Sequence, residues 1–145
     1  MNFTYWVQPT PTPSPVLGIA SMNGFILDEK GSVVAYHQTE QLPLIQASIP
    51  PLTIGDRIES EELLVTIAVL RKLQEEGIAA VEARIYNATY MELTMEHDVH
   101  ILFNTTNDPV LLSSSLQTML SVFTIEGRFP KEIDFRFSKP VIRYY

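Results

Sequence analysis

Three histidines, a run of three serines and a set of regularly spaced carboxylates are the residues of this sequence with types suited to chemistry. A metal or catalytic centre built on His37, His97 and His100 would need the imidazoles to converge with carboxylates. His97 falls in a predicted turn and His100 in the strand after it, with Asp98 the carboxylate between them, and that spacing builds no metal site. Ser113, Ser114 and Ser115 lack both the G-x-S-x-G elbow and a His-Asp pattern, so they read as helix-surface serines rather than nucleophiles. Glu82, Glu92 and Glu96 could align on the outer face of a sheet as an acid/base pair, but a solvated strand face explains them more simply. The glycines are scattered singly, without the spacing of a phosphate cradle. The expectation is a chain with no catalytic residues, no metal and no cofactor.

Composition narrows the classes further. The chain has no cysteine, which removes thiol catalysis, disulfides and Cys-based metal sites together. Ten Lys and Arg against seventeen Asp and Glu give a net charge of -7 with no basic cluster, so nucleic acid is not an expected partner. A length of 145 residues with 46% hydrophobic and 19% charged residues suits one folded domain. No window approaches the roughly 18 apolar residues of a membrane span, and no signal-peptide pattern opens the sequence. The chain reads as soluble, and is compatible with being the soluble end of a longer, anchored protein.

The elements that would position these groups follow from periodicity. Residues 1–15 contain the aromatic run Phe3–Val7 and then QPTPTPSP, read as a strand remnant and a Pro-rich linker. From Val16 the sequence is strand-like, with a hairpin turning at Asp28-Glu-Lys-Gly31. Residues 38–58 carry Pro43, Pro50, Pro51 and Gly55 and read as a long ordered loop laid over the core. Ser60 caps a helix that Gly77 ends, with Leu63, Leu64, Ile67 and Leu70 as its apolar stripe. Strands follow over residues 81–86, 91–95 and 99–103, joined as an antiparallel meander. Asp108 and Pro109 start a second helix, ended by Gly127, whose apolar face is Leu112, Leu116, Met119, Leu120 and Phe123. Ile133, Phe135 and Phe137 alternate with charged residues before Ser138-Lys-Pro140 and a last short run, predicting a terminal hairpin with its last strand at a sheet edge. The fold expected is α+β: a mainly antiparallel, twisted sheet of about seven strands with two helices packed on it.

In order, PVLGIASMNGFILDEKGSVV, the LPLI of Leu42–Ile45, a Leu-rich helix, MELTMEHDVHILF, a second helix and KEIDFRFSKPVIRYY give a chain that resembles the extracytoplasmic β domain of the bacterial cell-division protein FtsQ/DivIB from about Pro15 onward. The Ile133-Asp134-Phe135-Arg136-Phe137 segment is similar to the family's I-D-L-R-Y/F. The resemblance implies domain boundaries of 1–15 and 16–145 and no chemistry. It also implies a location outside the cytoplasmic membrane, anchored by a single transmembrane helix and preceded by a POTRA domain, neither of which is in this sequence. The function implied is that of a scaffold holding FtsB/DivIC-type and FtsL-type partners during septum formation, by strand addition at the C-terminal edge.

On that reading the partner-binding residues are Arg136, Phe137, Lys139, Val141, Ile142, Arg143, Tyr144 and Tyr145. Arg136 would pair with an acidic partner segment, Phe137 and Tyr144 would be apolar anchors, and Val141–Arg143 would form the ladder. The alternative reading is a soluble α+β hydrolase or ligand-binding domain with a pocket under the 38–58 loop. Convergent histidines and carboxylates in that pocket would favour the second reading, and an open edge strand near Tyr144 the first.

Overall fold

A computed structural model of the chain describes residues 18–36 and 42–145. The linker and strand remnant expected over residues 1–15, the start of the strand expected at Val16, and His37 lie outside the described residues. The described strands are β1 (Ala20–Met22), β2 (Phe25–Leu27), β3 (Val33–Tyr36), β4 (Leu44–Gln46), β5 (Ala80–Asn87), β6 (Tyr90–Met95), β7 (His100–Phe103), β8 (Glu132–Asp134) and β9 (Val141–Arg143), with helices α1 (Glu61–Glu75) and α2 (Pro109–Glu126).

Both helices form where their end signals lie. The Ser60 side chain accepts from the Leu63 amide at 3.3 Å, with Glu61 and Glu62 in the first turn, where the helix dipole favours negative charge. Asp108 accepts from the Val110 amide at 2.8 Å, ahead of Pro109, and the helix ends at Gly127 in the left-handed conformation. The buried residues of α1 are Leu63, Thr66, Ile67, Val69, Leu70 and Leu73; Leu64, expected in the stripe, is 37% exposed. Ser113, expected on the helix surface, is fully buried, and its hydroxyl donates to Glu76 Oε2 at 2.9 Å, tying α2 to the end of α1.

The nine strands form one sheet in the order β9-β8-β7-β6-β5-β4-β1-β2-β3. This overturns the expectation of a mainly antiparallel sheet of about seven strands: the molecule is α+β in general, but the sheet is mixed. Strands β1 and β4, β4 and β5, and β7 and β8 run parallel. For the last two pairs the physical cause is connectivity. Helix α1 joins β4 to β5 and α2 joins β7 to β8, and a helix-length crossover between neighbouring strands returns the chain in the same direction. The 38–58 stretch, expected as a loop over the core, instead supplies β4 between β1 and β5. Its Ile45 is buried, and the Pro43 carbonyl just ahead of it accepts from the Ser21 amide at 3.0 Å.

Alternation along each strand sends one side chain in two toward the helices. In β6 and β7 these are Met91, Leu93, Met95, Ile101 and Phe103, all buried, and they join α1 and α2 in one continuous core. Burying each such side chain is worth about 1.5–3 kcal/mol. Among the described residues the opposite face has no helix on it, and it carries Glu82, Arg84, Glu92, Thr94, His100, Glu132 and Asp134 by register.

The hairpin predicted at Asp28–Gly31 forms. The Asp28 carboxylate accepts from the amides of Lys30 at 2.9 Å and Ser32 at 2.8 Å. Gly31 has φ +79, and a Cβ there would lie 3.0 Å from Leu64 Cδ2 and 3.1 Å from the Ile58 carbonyl oxygen. Gly31→Ala is therefore expected to lower the free energy of unfolding by about 1–3 kcal/mol, measured by urea denaturation; an unchanged midpoint would show that the turn relaxes freely.

Candidate partner-binding edge

Strand β9 is the outermost strand at one end of the sheet and pairs with β8 through Val141↔Asp134, Ile142↔Ile133 and Arg143↔Glu132. Which of its backbone groups face outward follows from the neighbouring bonds. The His100 amide donates to the Lys131 carbonyl at 2.9 Å and the Phe135 amide to the Leu102 carbonyl at 2.8 Å, so the backbone groups of Ile133, which lie between these two bonds, turn toward β7. Those of Glu132 and Asp134 then turn toward β9, because successive residues of a strand point their amides to opposite sides. Their partners Val141 and Arg143 bond inward, and the Arg143 carbonyl also takes the amide of Lys131, just ahead of β8, at 2.8 Å. Ile142 is left with its N–H and C=O directed off the sheet, and no strand of the described residues pairs with them.

The opposite edge is covered where its outermost strand begins. Strand β3 has its Val33 amide donating to the Asp56 carbonyl at 2.8 Å and its Val33 carbonyl accepting from the Gly55 amide at 2.9 Å, and the Ile58 amide donates to the Gly31 carbonyl at 2.9 Å. The 55–58 segment thus lies along the start of β3, with Ser32 bridged to Arg57. Short strands, prolines and covering segments are the usual protection of an edge. Among the described residues, one end of this sheet is covered in this way over the start of β3, and no segment covers β9.

Among the residues singled out from sequence, Lys139 through Tyr145 are all exposed, and Phe137, which could equally have been core, is 56% exposed. Arg136 is placed differently from its expected role. Its Nε and Nη2 donate to Asp134 Oδ1 and Oδ2 at 2.9 and 2.8 Å, and its amide adds a third bond to Oδ1 at 3.0 Å. The guanidinium also sits 5.0 Å from the centre of the Tyr90 ring. Asp134 is fully buried, and the Arg136 guanidinium holds its carboxyl below the usual aspartate range against the opposing effect of burial. Arg136 is therefore a clamp on β8. Arg143 pairs with Glu132 on the same face, and Arg128 lies 4.0 Å over the Tyr144 ring. Lys139 has no ion pair among the described residues.

A charge asymmetry went unread in the sequence. Arg128, Lys131, Arg136, Lys139 and Arg143 are five of the ten basic residues, and only Glu132 and Asp134 of the seventeen acids lie among them. A chain of net charge -7 thus carries a segment of net charge +3 at its open edge. Counting charge by segment rather than by chain would have found it.

The groups considered for catalysis are partly brought together. His100 Nδ1 lies 2.6 Å from Glu92 Oε1 and its Nε2 lies 3.1 Å from Asp98 Oδ1, while the Tyr145 hydroxyl reaches Asp98 Oδ2 at 3.3 Å. A general base needs one ring nitrogen on its nucleophile and the other on its orienting group, and here carboxylates occupy both. Glu82 pairs with Arg84 at 3.0 Å, and Glu96 stands apart in the turn after β6. His97, at φ 62, stacks its ring on Phe129 at 4.1 Å. A crevice of about 330 Å³ does open within the 38–58 region, lined by Ile49–Leu52 and Asp56–Ser60, and it contains no histidine. No group of three or more His, Asp and Glu side chains among the described residues is arranged to hold a metal ion, and no described helix is long and apolar enough to cross a membrane. No protein-family model matches the chain, and no curated protein matches it significantly.

Proposed function

We propose that this chain is a non-catalytic, FtsQ/DivIB-like scaffold of the bacterial cell-division complex that takes up an extended segment of an FtsB/DivIC-type partner along β9, with an FtsL-type protein in the same assembly. The reading places the domain outside the cytoplasmic membrane, held there by an anchor beyond this sequence. One observation carries it: among the described residues the sheet is covered at the start of β3 and uncovered at β9, where Ile142 directs an N–H and a C=O off the edge. Strand addition uses such groups for affinity and the flanking side chains for choice of partner. The flanking chemistry suits an acidic strand, because Lys131, Lys139 and Arg143 surround the edge while the rest of the chain is acidic and repels such a segment.

Binding of a purified FtsB/DivIC-type partner, followed by surface plasmon resonance at several salt concentrations, tests the reading. Reversing Lys131 and Lys139 to Glu is expected to lower the association rate about tenfold at low salt, and the difference should shrink as salt screens the encounter. An association rate indifferent to both substitutions would remove the acidic-strand reading, and no binding by the unmodified chain would remove the scaffold reading.

A further inference from the structure

The two helices share one layer and meet solvent in different ways. The outward side of α1 is charged and internally paired, with Arg71 bonded to Glu29 at 3.0 Å and to Glu75 at 3.3 Å. Helix α2 has no charged residue from Pro109 to Ile125, yet much of it is in solvent: Leu111 is 67% exposed, Val122 45% and Ile125 86%. Each large apolar side chain left in water forgoes about 1.5–3 kcal/mol of burial. A stripe of this kind along a whole helix marks a contact surface more than a solvated one.

The stripe has a symmetry of its own. Leu111 and Ile125 each stand seven residues from Thr118, and Ser114 and Val122 each stand four away; all five are exposed. Two such helices crossing antiparallel at Thr118 would set Leu111 against Ile125 of the other copy at both ends. The small Ser114 and Thr118 near the crossing would let the axes approach closely. Charge selects the occupant. A partner presenting Lys, Arg, Asp or Glu would bury it without a counter-charge, and a membrane surface would find no basic residue on α2 for its headgroups. A second copy of this acidic chain brings an equally neutral face, so this is a surface at which two copies can meet without opposing carboxylates.

We propose that α2 docks against α2 of a second copy of this chain in a two-fold, antiparallel pair, independently of β9. The test is sedimentation equilibrium of the full chain over micromolar to millimolar concentrations. Expected is a reversible monomer–dimer equilibrium that Leu111→Glu or Ile125→Lys, each at an exposed position and each with an unchanged melting temperature, weakens about tenfold or more. An equimolar mixture of the two variants is expected to recover association, because the antiparallel register brings the new Glu and Lys together. A monomer at every concentration, a dimer insensitive to either substitution, or a mixture that associates no better than its components would each overturn the proposal.

Discussion

A protein in which Ile142 is replaced by proline is expected to keep its fold and to bind a strand-adding partner about 10–100-fold more weakly. The substitution removes the amide that points off β9, while the inward bonds to β8 come from Val141 and Arg143. Proline is tolerated where a strand's free side faces away from its sheet. The partner, in contrast, is left with its own carbonyl unpaired, at a cost of about 1–3 kcal/mol. Val141→Pro is the control with the opposite character, because it removes an amide that bonds to β8; it should loosen β9 even in the absence of any partner. Circular dichroism melts beside a binding isotherm separate the two. Equal effects of both substitutions on stability and binding would show that the outward assignment of Ile142 does not hold.

The second large effect is expected at Asp134. Its carboxylate is fully buried on the helix-free face of the sheet and takes three bonds from Arg136. Asp134→Asn preserves the volume but removes the charge that pairs with this guanidinium, which itself remains only part-exposed. Breaking one side of such a pair costs several kcal/mol when both partners are buried; with the arginine partly in water, about 2–3 kcal/mol is expected, or roughly 5–10 °C in melting temperature. The pH dependence has a definite sign. Because the folded carboxyl titrates below its ordinary range, its contribution is complete above about pH 4, the unfolded aspartate value, and is lost as pH falls through the lower folded value. Wild type and variant should therefore differ by a constant amount from pH 5 to 8 and converge in acid. A difference that instead widened below pH 4 would contradict the role given to Asp134.

Local chemistry was legible in the sequence and its long-range consequences were not. Ser60 and Asp108 announce their helices because a cap depends on residues two or three apart. The alternation of Met91, Leu93 and Met95 announces its strand for the same reason. Hydrophobic period does not encode the direction of the parallel pairings; for β4–β5 and β7–β8, direction follows from the helix that connects each pair of neighbouring strands. Strand β4 was hidden by Pro43, Pro50 and Pro51, which punctuate the stretch so heavily that a three-residue central strand gives no periodic signal. Asn23-Gly24, a strong two-residue hairpin signal, was passed over; both residues have positive φ and turn β1 into β2.

At the edge, residue types were readable and geometry was not. Lys139, Tyr144 and Tyr145 are exposed, as their place after Pro140 suggested. Asp134 looked like a wet position because it alternates with Ile133 and Phe135, yet Arg136 folds over it and excludes water. That Ile142 rather than Val141 offers its amide depends on the bonding phase between β7, β8 and β9, which no single strand's sequence contains.

Hydrogen exchange at the Ile142 amide, measured by NMR with and without a saturating FtsB/DivIC-type partner, tests most directly whether β9 takes up a foreign strand. Protection of Ile142 that rises at least about tenfold on binding, with the Val141 amide little changed, is the result the account predicts. Tight binding that leaves Ile142 exchanging at its free rate would contradict it, because the partner would then be held somewhere other than the backbone of this edge.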